Sequence, residues 1–400
     1  MDDLLVIGGG MAGLGAALVA QRAGLTVTLL EQAEAFSEVG AGIQLGPNAV
    51  RVLHDWGLEH ELRAVAAFPD ALCVRDARSG TLLGRLTLGA AMRARYGEPY
   101  ATVHRADLHQ MLLRQIECGV TCRLRQRVQS LVQDEAGVHV QTEDGTRHQA
   151  AALLGCDGLW SRVRAELLAD GAPIFSGDLA YRGLVRMADL PPDLRRNEVT
   201  AWLAPRLHAV HYPVRRGEWM NVIVVVEGQI PSDPDGWDHE AQAERLRAAL
   251  GAVHGDFDRL LRAVPGWRLW PLKARAPMRG PHEHGRGRIA LLGDAAHPTR
   301  PYLAQGAAMA LEDAWTLGHL LAQPRWSGAS GLDWPGLLEA LAQARWSRNG
   351  WVQARSRRNG QIFHAAGPLR WGRDLAMGLL GERLMDLPEL YRGPPVPPGA

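Results

Sequence analysis

Four residues near the N-terminus have the types and spacing of a turn that binds the pyrophosphate of a dinucleotide. Gly8, Gly10 and Gly13 follow an apolar run, and Glu31 ends the next apolar run. Gly8 permits a tight turn, Gly10 lets the backbone approach a pyrophosphate, and Gly13 lets a helix lie against the preceding strand. Glu31 stands at the distance where a carboxylate accepts hydrogen bonds from an adenosine ribose. FAD and NAD suit these residues equally, and a glycine turn that binds nothing is the alternative.

The elements around these residues are a strand, a helix and a second strand. Residues 4–7 form an unbroken apolar run, which is typical of a strand buried on both faces of a parallel sheet. Residues 14–23 are rich in alanine and favour a helix, whose free N–H groups and positive end face the phosphates. Residues 26–30 predict the second strand. The chain is therefore expected to begin with a Rossmann-like unit.

Two later segments repeat the pattern of a buried strand that stops at a turn containing an acid. The strand predicted over 151–155 is followed by Asp157-Gly158 and by a helix that Ser161 can cap. The strand predicted over 288–292 is followed by Gly293-Asp294 and then by another helix. Because all three turns follow the carboxyl ends of strands, we expect them to meet at one edge of a sheet.

The middle of the chain predicts a second, mainly antiparallel sheet. Strands are expected over 179–187, 199–203, 208–214 and 219–226, with a helix over 239–250. The expected fold class is α/β, with a Rossmann-like domain of parallel sheet and β-meander over 1–173 and 278–330. An inserted antiparallel substrate domain covers 174–277, with a hairpin at 71–88 added to its sheet, and 331–400 forms a helical segment with a Pro-rich tail.

Composition excludes several classes of protein. A net charge of +1 over 400 residues, without a basic run, argues against nucleic acid as a partner. The cysteines have no metal-ligand spacing, so they are interpreted as small apolar residues in a reducing cytoplasm. No apolar run reaches the ~20 residues that a membrane span needs. We therefore expect a cytoplasmic protein without a bound metal or a signal peptide.

These motifs together resemble those of the group A flavoprotein aromatic hydroxylases, the p-hydroxybenzoate hydroxylase family. Within that family the chain is similar to the salicylate, 3-hydroxybenzoate and 6-hydroxynicotinate monooxygenases. The similarity covers residues 1–325. Its most specific parts are the Asp157-Gly158 segment with Ser161 and Arg164, and the Gly293-Asp294 segment.

The resemblance implies one bound FAD. The residues that it assigns to FAD are Gly8, Gly10, Met11, Ala12, Gly13, Glu31, Gln32, Gln44, Arg105, Val128, Asp157, Asp294, Gly306, Ala307 and Ala308. From the residues alone, Arg105 could equally be a solvated surface arginine. No second glycine turn of the first kind is present, so NADH or NADPH is expected to dock transiently as a co-substrate.

The resemblance also implies a reaction in which a flavin C4a-hydroperoxide transfers one oxygen atom from O2 to a phenolic or heteroaromatic, carboxylated substrate. Losing a proton makes such a ring electron-rich, and a base with a pKa near neutral suits that step. His211 is the candidate, because His211, Pro213 and Arg215 point the same way on a strand. A histidine satisfied inside the sheet is the alternative.

One position departs from the family pattern. The relatives tend to carry a tyrosine four residues after that histidine, where this chain has Arg215. Arg215 could clamp a substrate carboxylate with two hydrogen bonds or be a solvated turn residue. Gln305, His297 and Tyr181 are further candidates for the substrate pocket, although His297 could simply shape the loop before the next helix.

Two other functions remain open at this point. The same turns would serve a flavin reductase or epoxidase that acts on an isoprenoid or alkene, and they would also serve a non-catalytic flavin-binding protein. The sequence leaves open the ring position that is hydroxylated, any accompanying decarboxylation, the choice between NADH and NADPH, and the oligomeric state, a homodimer included.

Overall fold

A computed structural model describes residues 2–36, 41–230, 239–328 and 331–398. The strands, in chain order, are β1 Asp2–Ile7, β2 Val27–Leu30, β3 Gly42–Leu45, β4 Ala71–Asp76, β5 Leu82–Thr87, β6 Ala101–His104, β7 Val120–Arg123, β8 Val128–Gln133, β9 Val138–Thr142, β10 Arg147–Gly155, β11 Ile174–Arg186, β12 Glu198–Ala204, β13 Leu207–Val214, β14 Trp219–Glu227, β15 Arg268–Ala274, β16 Gly285–Arg286, β17 Ile289–Leu291, β18 Ser327–Gly328 and β19 Gly331–Leu332. The helices are α1 Met11–Arg22, α2 Pro47–Asp55, α3 Glu59–Val65, α4 Ala90–Tyr96, α5 Arg105–Ile116, α6 Arg162–Leu168, α7 His239–Leu250, α8 Gly255–Ala263, α9 Gly306–Leu321, α10 Trp334–Phe363, α11 Gly367–Leu380, α12 Glu382–Met385 and α13 Pro388–Tyr391.

The first sheet has a parallel centre in the order β17-β10-β1-β2-β7. Most residues of β1 and β2 and the second half of β10 are buried, because helices cover one face while β8, β9 and α6 pack on the other. The last residues of three strands are in register, with Ile7 opposite Gly155 and Gly155 opposite Leu291. The turns that follow β1, β10 and β17 therefore lie side by side, as the sequence predicts.

Small residues bring α1 and α9 into close contact beside this edge. A Cβ on Gly15 would lie 2.9 Å from Ala314 Cβ, and one on Gly293 would lie 2.7 Å from Ala12 Cβ. Larger side chains would push these segments apart. Because the two helices lie this close together, their N-termini open toward the same space above the sheet.

The second sheet has the order β15-β11-β14-β13-β12-β4-β5. One of its faces packs on α7 and α8 through an apolar cluster that includes Tyr181, Trp202 and Phe257. The other face looks toward the turns of the first sheet and toward the C-terminal helices. A side chain on any of these strands therefore faces either a closed core or the space between the sheets, depending on its position.

A buried ionic cluster fixes the long C-terminal helix α10 to α9. Arg345 donates to Asp313 at 2.7 Å and to Glu312 at 2.9 Å, and Arg348 donates to Glu312 at 2.7 Å. Asp313 also accepts a hydrogen bond from the backbone N–H of Gly293 at 2.9 Å. The cluster thus joins α10 to the turn that follows β17.

Arg345→Met is expected to lower the free energy of unfolding by about 3–5 kcal/mol, because it leaves buried carboxylates incompletely paired. Burial alone would raise the pKa of Asp313, but His297 and Arg345 hold it below its usual range. This contribution is present at neutral pH and is lost as the pH falls into the acid range. Urea titrations at pH 7 and at about pH 2.5, which is below the ordinary pKa of an aspartate, measure both effects. Arg357→Met, on the exposed side of the same helix, is the control, and an equal loss in both variants would contradict the assignment.

The structure confirms the predicted combination of a parallel sheet, an antiparallel sheet and C-terminal helices. The strand expected over 208–214 is β13, and the helix expected over 239–250 is α7. The 71–88 segment forms β4 and β5, and β4 pairs with β12. The division into domains stays a prediction. Across the described ranges, no helix combines the length and apolar character needed to cross a membrane.

Candidate active site

A cavity of about 290 Å³ lies between the two sheets, and we call it the polar cavity. Its walls are formed by the backbone at the start of α1 and α9, by the strand β3, and by the face of the second sheet that is turned away from α7 and α8. Among the residues predicted to bind FAD, those that line it are Gly10, Met11, Ala12, Gln44, Arg105, Asp294, Gly306 and Ala307. Parts of the chain far apart in sequence thus converge on one space.

Glycine occupies each of the three positions of the first turn for a different structural reason. Gly8 has φ +101°, a conformation that favours glycine, and a Cβ on Gly13 would lie 1.9 Å from the carbonyl oxygen of Gly8. A Cβ on Gly10 would meet nothing within 4 Å. Gly8 and Gly13 are therefore needed by the fold itself, whereas Gly10 keeps open a space that a ligand can enter.

Glu31 closes the other side of this turn. Its carboxylate accepts hydrogen bonds from the backbone N–H groups of Gly9 at 2.7 Å and Ala33 at 2.9 Å. Gln32 next to it is exposed. The backbone N–H of Gln126 donates to the carbonyl of Glu31, which brings the segment before Val128 beside this acid. Val128 itself is buried at the start of β8, so only its backbone and neighbours can meet a ligand.

The turn after β17 places an acid in the polar cavity. Asp294 lines the cavity near Gly306, and it makes no side-chain hydrogen bond or ion pair within the described ranges. The surrounding protein atoms limit hydration of the Asp294 carboxylate and so raise its pKa, while the charges of His297 and Arg105 act to lower it. Ala308 is buried just behind the cavity wall. The first turn of α9 leaves N–H groups available beside this acid.

Asp157 has a structural role in the turn after β10. Its carboxylate accepts hydrogen bonds from the Ser161 hydroxyl at 2.5 Å and from the N–H groups of Arg162 and Val163. It does not line the polar cavity, but its neighbours Cys156 and Gly158 do. Asp157 therefore holds the turn in shape, and the backbone of the turn is the part that faces the cavity.

The comparisons with known proteins decide the family. The FAD binding domain model matches residues 2–333. The chain belongs to the family of FAD-binding aromatic hydroxylases. It is 38% identical to 3-hydroxybenzoate 6-hydroxylase from Polaromonas naphthalenivorans (strain CJ2), over 98% of this chain and 95% of that protein. The similarity predicted from the sequence is therefore confirmed.

Two further relatives agree with this assignment. The chain is 36% identical to 6-hydroxynicotinate 3-monooxygenase from Bordetella bronchiseptica, over 80% of this chain and 82% of that protein. A salicylate hydroxylase solved as a substrate complex superposes with a TM-score of 0.79 at 27% identity, covering 99% of this chain and 98% of that chain.

The polar cavity of this flavoprotein suits FAD on physical grounds. The open space in front of Gly10 and the N-termini of α1 and α9 favour a phosphate anion. Arg105 and Arg182 add two cations to the same walls. Asp294 offers a carboxylate to a hydroxyl donor. These features match the pyrophosphate, the ribityl hydroxyls and the oxygen-rich ring edge of a flavin dinucleotide.

A second space, the apolar cavity, adjoins the polar one and measures about 690 Å³. It lies between the second sheet and the helices α10 and α11. The residues that line both cavities are Gln44, His208, Val210, Pro301 and Ala304. A ligand in the apolar cavity would therefore reach the flavin across this shared wall.

The structure corrects the expectation that His211 faces the site. His211 lies on the opposite face of β13, where it pairs with Val222 and stacks on Trp202 at 6.4 Å between ring centroids. Burial, with smaller contributions from two arginines, lowers the pKa of His211 to about 3. It lines neither cavity. It is a histidine enclosed in the core, which was the alternative interpretation.

The histidine at the shared wall is His208, three residues earlier on the same strand. Four residues after it comes Tyr212, which lines the polar cavity on the same face. His208 and Tyr212 therefore have the four-residue spacing that was sought after His211, and they face the cavity whereas His211 does not. Burial, with the neighbouring His364, holds the pKa of His208 well below its usual range.

Three other predicted pocket residues also lie elsewhere. Arg215 pairs with Asp107 through two hydrogen bonds of 2.9 and 3.0 Å, so it does not clamp a ligand. Tyr181 is buried in the core under α7 and α8. His297 is buried against Asp313 at 2.5 Å and shapes the loop after β17.

Gln44 lies at the wall between the two cavities, whereas Gln305, which was expected in the substrate pocket, lines the polar cavity and not the apolar one. The side-chain oxygen of Gln305 accepts a hydrogen bond from Asn48 at 2.9 Å. Gln44 lines both cavities and accepts from the hydroxyl of Tyr100 at 2.8 Å. Sequence reasoning missed His208, Tyr212, Arg182 and the contribution of α10 and α11. The four-residue spacing of His208 and Tyr212 was the available signal for the first two.

Proposed function

We propose that this protein is an FAD-dependent monooxygenase that uses NADH or NADPH and O2 to hydroxylate a phenolic or heteroaromatic substrate that carries a carboxylate. The main support is the wall that the polar and apolar cavities share at His208. It lets an aromatic ring in one cavity meet the cofactor in the other, beside a base. When bound, FAD supplies the redox chemistry and an electrophilic oxygen.

Residues of the polar cavity, together with Glu31 of the first turn, would each bind a different part of FAD. The N–H groups of Met11 and Ala12 would take the pyrophosphate, and Glu31 would take the adenosine ribose. Asp294 would bond the ribityl hydroxyls. The N–H groups at the start of α9 would take the oxygen-rich edge of the ring.

His208 would accept the phenolic proton of the substrate. Its lowered pKa keeps the imidazole neutral at working pH, so a ring nitrogen can accept a proton, but it also makes His208 a weaker base than the near-neutral one expected from the sequence. The accepted proton would therefore have to pass onward. His208 Nδ1 is 2.9 Å from His364 Nε2, and His364 Nδ1 is 3.2 Å from Glu227 Oε1. Glu227 is partly exposed and pairs with the exposed Arg206. This chain of hydrogen bonds can carry the proton from the buried wall to solvent.

The test is anaerobic stopped-flow reduction of the purified yellow protein with NADH or NADPH, across a panel of hydroxybenzoates and hydroxypyridine carboxylates. At least one aromatic acid is expected to accelerate flavin reduction and then to give a product that contains one oxygen atom from 18O-labelled O2 when O2 is admitted, with or without loss of CO2. If every aromatic leaves the reduction rate unchanged and only peroxide forms, the hydroxylase function is rejected.

One observation favours a second function with the same fold. The apolar cavity is larger and more apolar than a single polar ring requires, and His211 has no part in it. An epoxidase or reductase that acts on an isoprenoid or alkene would use such a space. The product mass with an alkene panel distinguishes the two functions, because the second one needs no phenolic proton and hence no His208.

A further inference from the structure

The helix α10 presents four polar side chains to the apolar cavity, those of Arg355, Arg358, Asn359 and Gln361. Arg355, Arg358 and Asn359 line it at helical spacing, followed one turn later by Ile362 and Phe363. The opposite wall is made of side chains of the second sheet, which are apolar except for His208. The charged side chains of this cavity are therefore confined to its helical side.

The charges that line the apolar cavity are all positive. Arg355, Arg358 and Arg373 line it, and within the part of the chain that the structure describes no aspartate or glutamate does. Arg373 is already used, because it donates to Asp374 and to the carbonyls of Ile362 and Phe363. Arg358 is exposed to solvent. Arg355 is the remaining cation at this wall.

Arg355 is partly buried and lacks an acceptor. Its Nε is buried without a hydrogen-bond partner, and its guanidinium forms no ion pair with any described carboxylate. Other buried arginines of the same helix behave differently, since Arg345 is paired with Asp313 and Glu312. An unpaired N–H donor in an apolar space costs free energy, which a carboxylate with two parallel acceptors would recover.

Neighbours of Arg355 tie its helix to the wall beside His208. The Ser356 hydroxyl donates to the carbonyl of Arg300 at 2.8 Å, and the Asn359 amide donates to the carbonyl of Tyr302 at 3.3 Å. The Tyr302 ring lies 5.0 Å from the ring of His208 between centroids. The position of Arg355 is therefore fixed relative to the base.

We propose that Arg355 binds the carboxylate of the aromatic substrate and thereby orients its hydroxyl group toward His208. This assignment rests on the proposed function and replaces Arg215 as the carboxylate-binding residue. The apolar walls contact the ring, and the anionic group ends on the helical side of the cavity. A neutral analogue of the same shape loses this interaction.

The experiment measures ligand binding to the oxidised holoenzyme, from the change in flavin absorbance and separately from turnover. The probes are the best-binding aromatic acid of the panel and its carboxamide. Arg355→Gln is expected to raise the Kd for the acid at least about tenfold and to leave the Kd for the carboxamide near its wild-type value. Arg355→Lys is expected to have a Kd for the acid between those of the wild type and Arg355→Gln, because lysine keeps the charge but cannot donate two parallel hydrogen bonds.

Arg357→Gln, on the exposed side of α10, is the matched control and should bind the acid as the wild type does. Thermal unfolding of each variant shows that α10 remains folded. If Arg355→Gln binds acid and carboxamide with wild-type affinities, or if it weakens both equally, the proposal is wrong. If acid binding depends on Arg355 but no product forms, the site stands and the hydroxylase function fails.

Discussion

His208→Asn is expected to lower the rate of aromatic hydroxylation roughly 10²- to 10⁴-fold, the range typical of losing a general base. Reduction of the flavin by NADH or NADPH should be affected much less, because that step needs no base at His208. The variant should therefore oxidise the nicotinamide and release peroxide instead of product. Single-turnover measurements with product analysis separate the two steps.

His211→Asn is the matched control, since His211 lies three residues away on the same strand and faces the core. It should keep its hydroxylation rate while losing some stability. Equal activity loss in both variants would contradict the assignment of His208. The low pKa of His208 also predicts that the acid limb of kcat/KM lies below the usual histidine range, because the neutral form persists to lower pH.

Gly10→Val is expected to weaken FAD binding by about 100-fold, or about 2.7 kcal/mol, without unfolding the apoprotein. A Cβ at this position meets no protein atom within 4 Å, so the fold accepts it, but the side chain enters the space proposed for the pyrophosphate. Flavin fluorescence titration of the apoprotein measures the affinity. Urea unfolding of the same preparation measures the stability.

Gly13→Ala is expected to lower the stability of the apoprotein, which Gly10→Val leaves unchanged. Its Cβ would meet the carbonyl oxygen of Gly8 at 1.9 Å, so the helix must move away from the strand and the apoprotein itself loses stability. If Gly10→Val retained wild-type FAD affinity, the first turn would not be the pyrophosphate site. The two glycines together separate cofactor binding from folding.

The parts of the site that follow from local sequence were predicted well. A glycine turn, a strand before it and a helix after it impose the same backbone wherever they occur, so Gly8, Gly13 and the acid Glu31 could be placed from their spacing. The convergence of the turns at Gly8 and Asp294 also followed, because parallel strands end at a common edge. These predictions depend on short segments and on one general rule of sheet geometry.

The face of β13 could not be predicted in the same way. Both faces of this strand are buried, one against α7 and α8 and the other toward the cavities, so its side chains show no alternation between polar and apolar residues. His208 and His211 were equally plausible from the pattern. Their separation by three positions puts them on opposite faces. Both are buried, and the contact with Trp202 shows that His211 faces the closed core under α7 and α8.

The contribution of α10 to the substrate cavity depended on contacts distant in sequence. Arg355 stands in a helix rich in arginine, and nothing in the local pattern distinguishes it from Arg345 or Arg357. Their partners differ because Arg345 meets the acids of α9, whereas Arg357 is exposed. Such differences come from tertiary packing, which periodicity does not encode.

In the arrangement proposed here, the turns after β1 and β17 bind one FAD, whose reactive ring lies at the wall shared by the two cavities. A crystal structure of the FAD-bound protein would show whether the cofactor lies there. We expect the pyrophosphate at the N–H groups of Met11 and Ala12, Asp294 on the ribityl chain, and the ring beside His208. FAD bound away from Gly10, or a ring remote from His208, would contradict it.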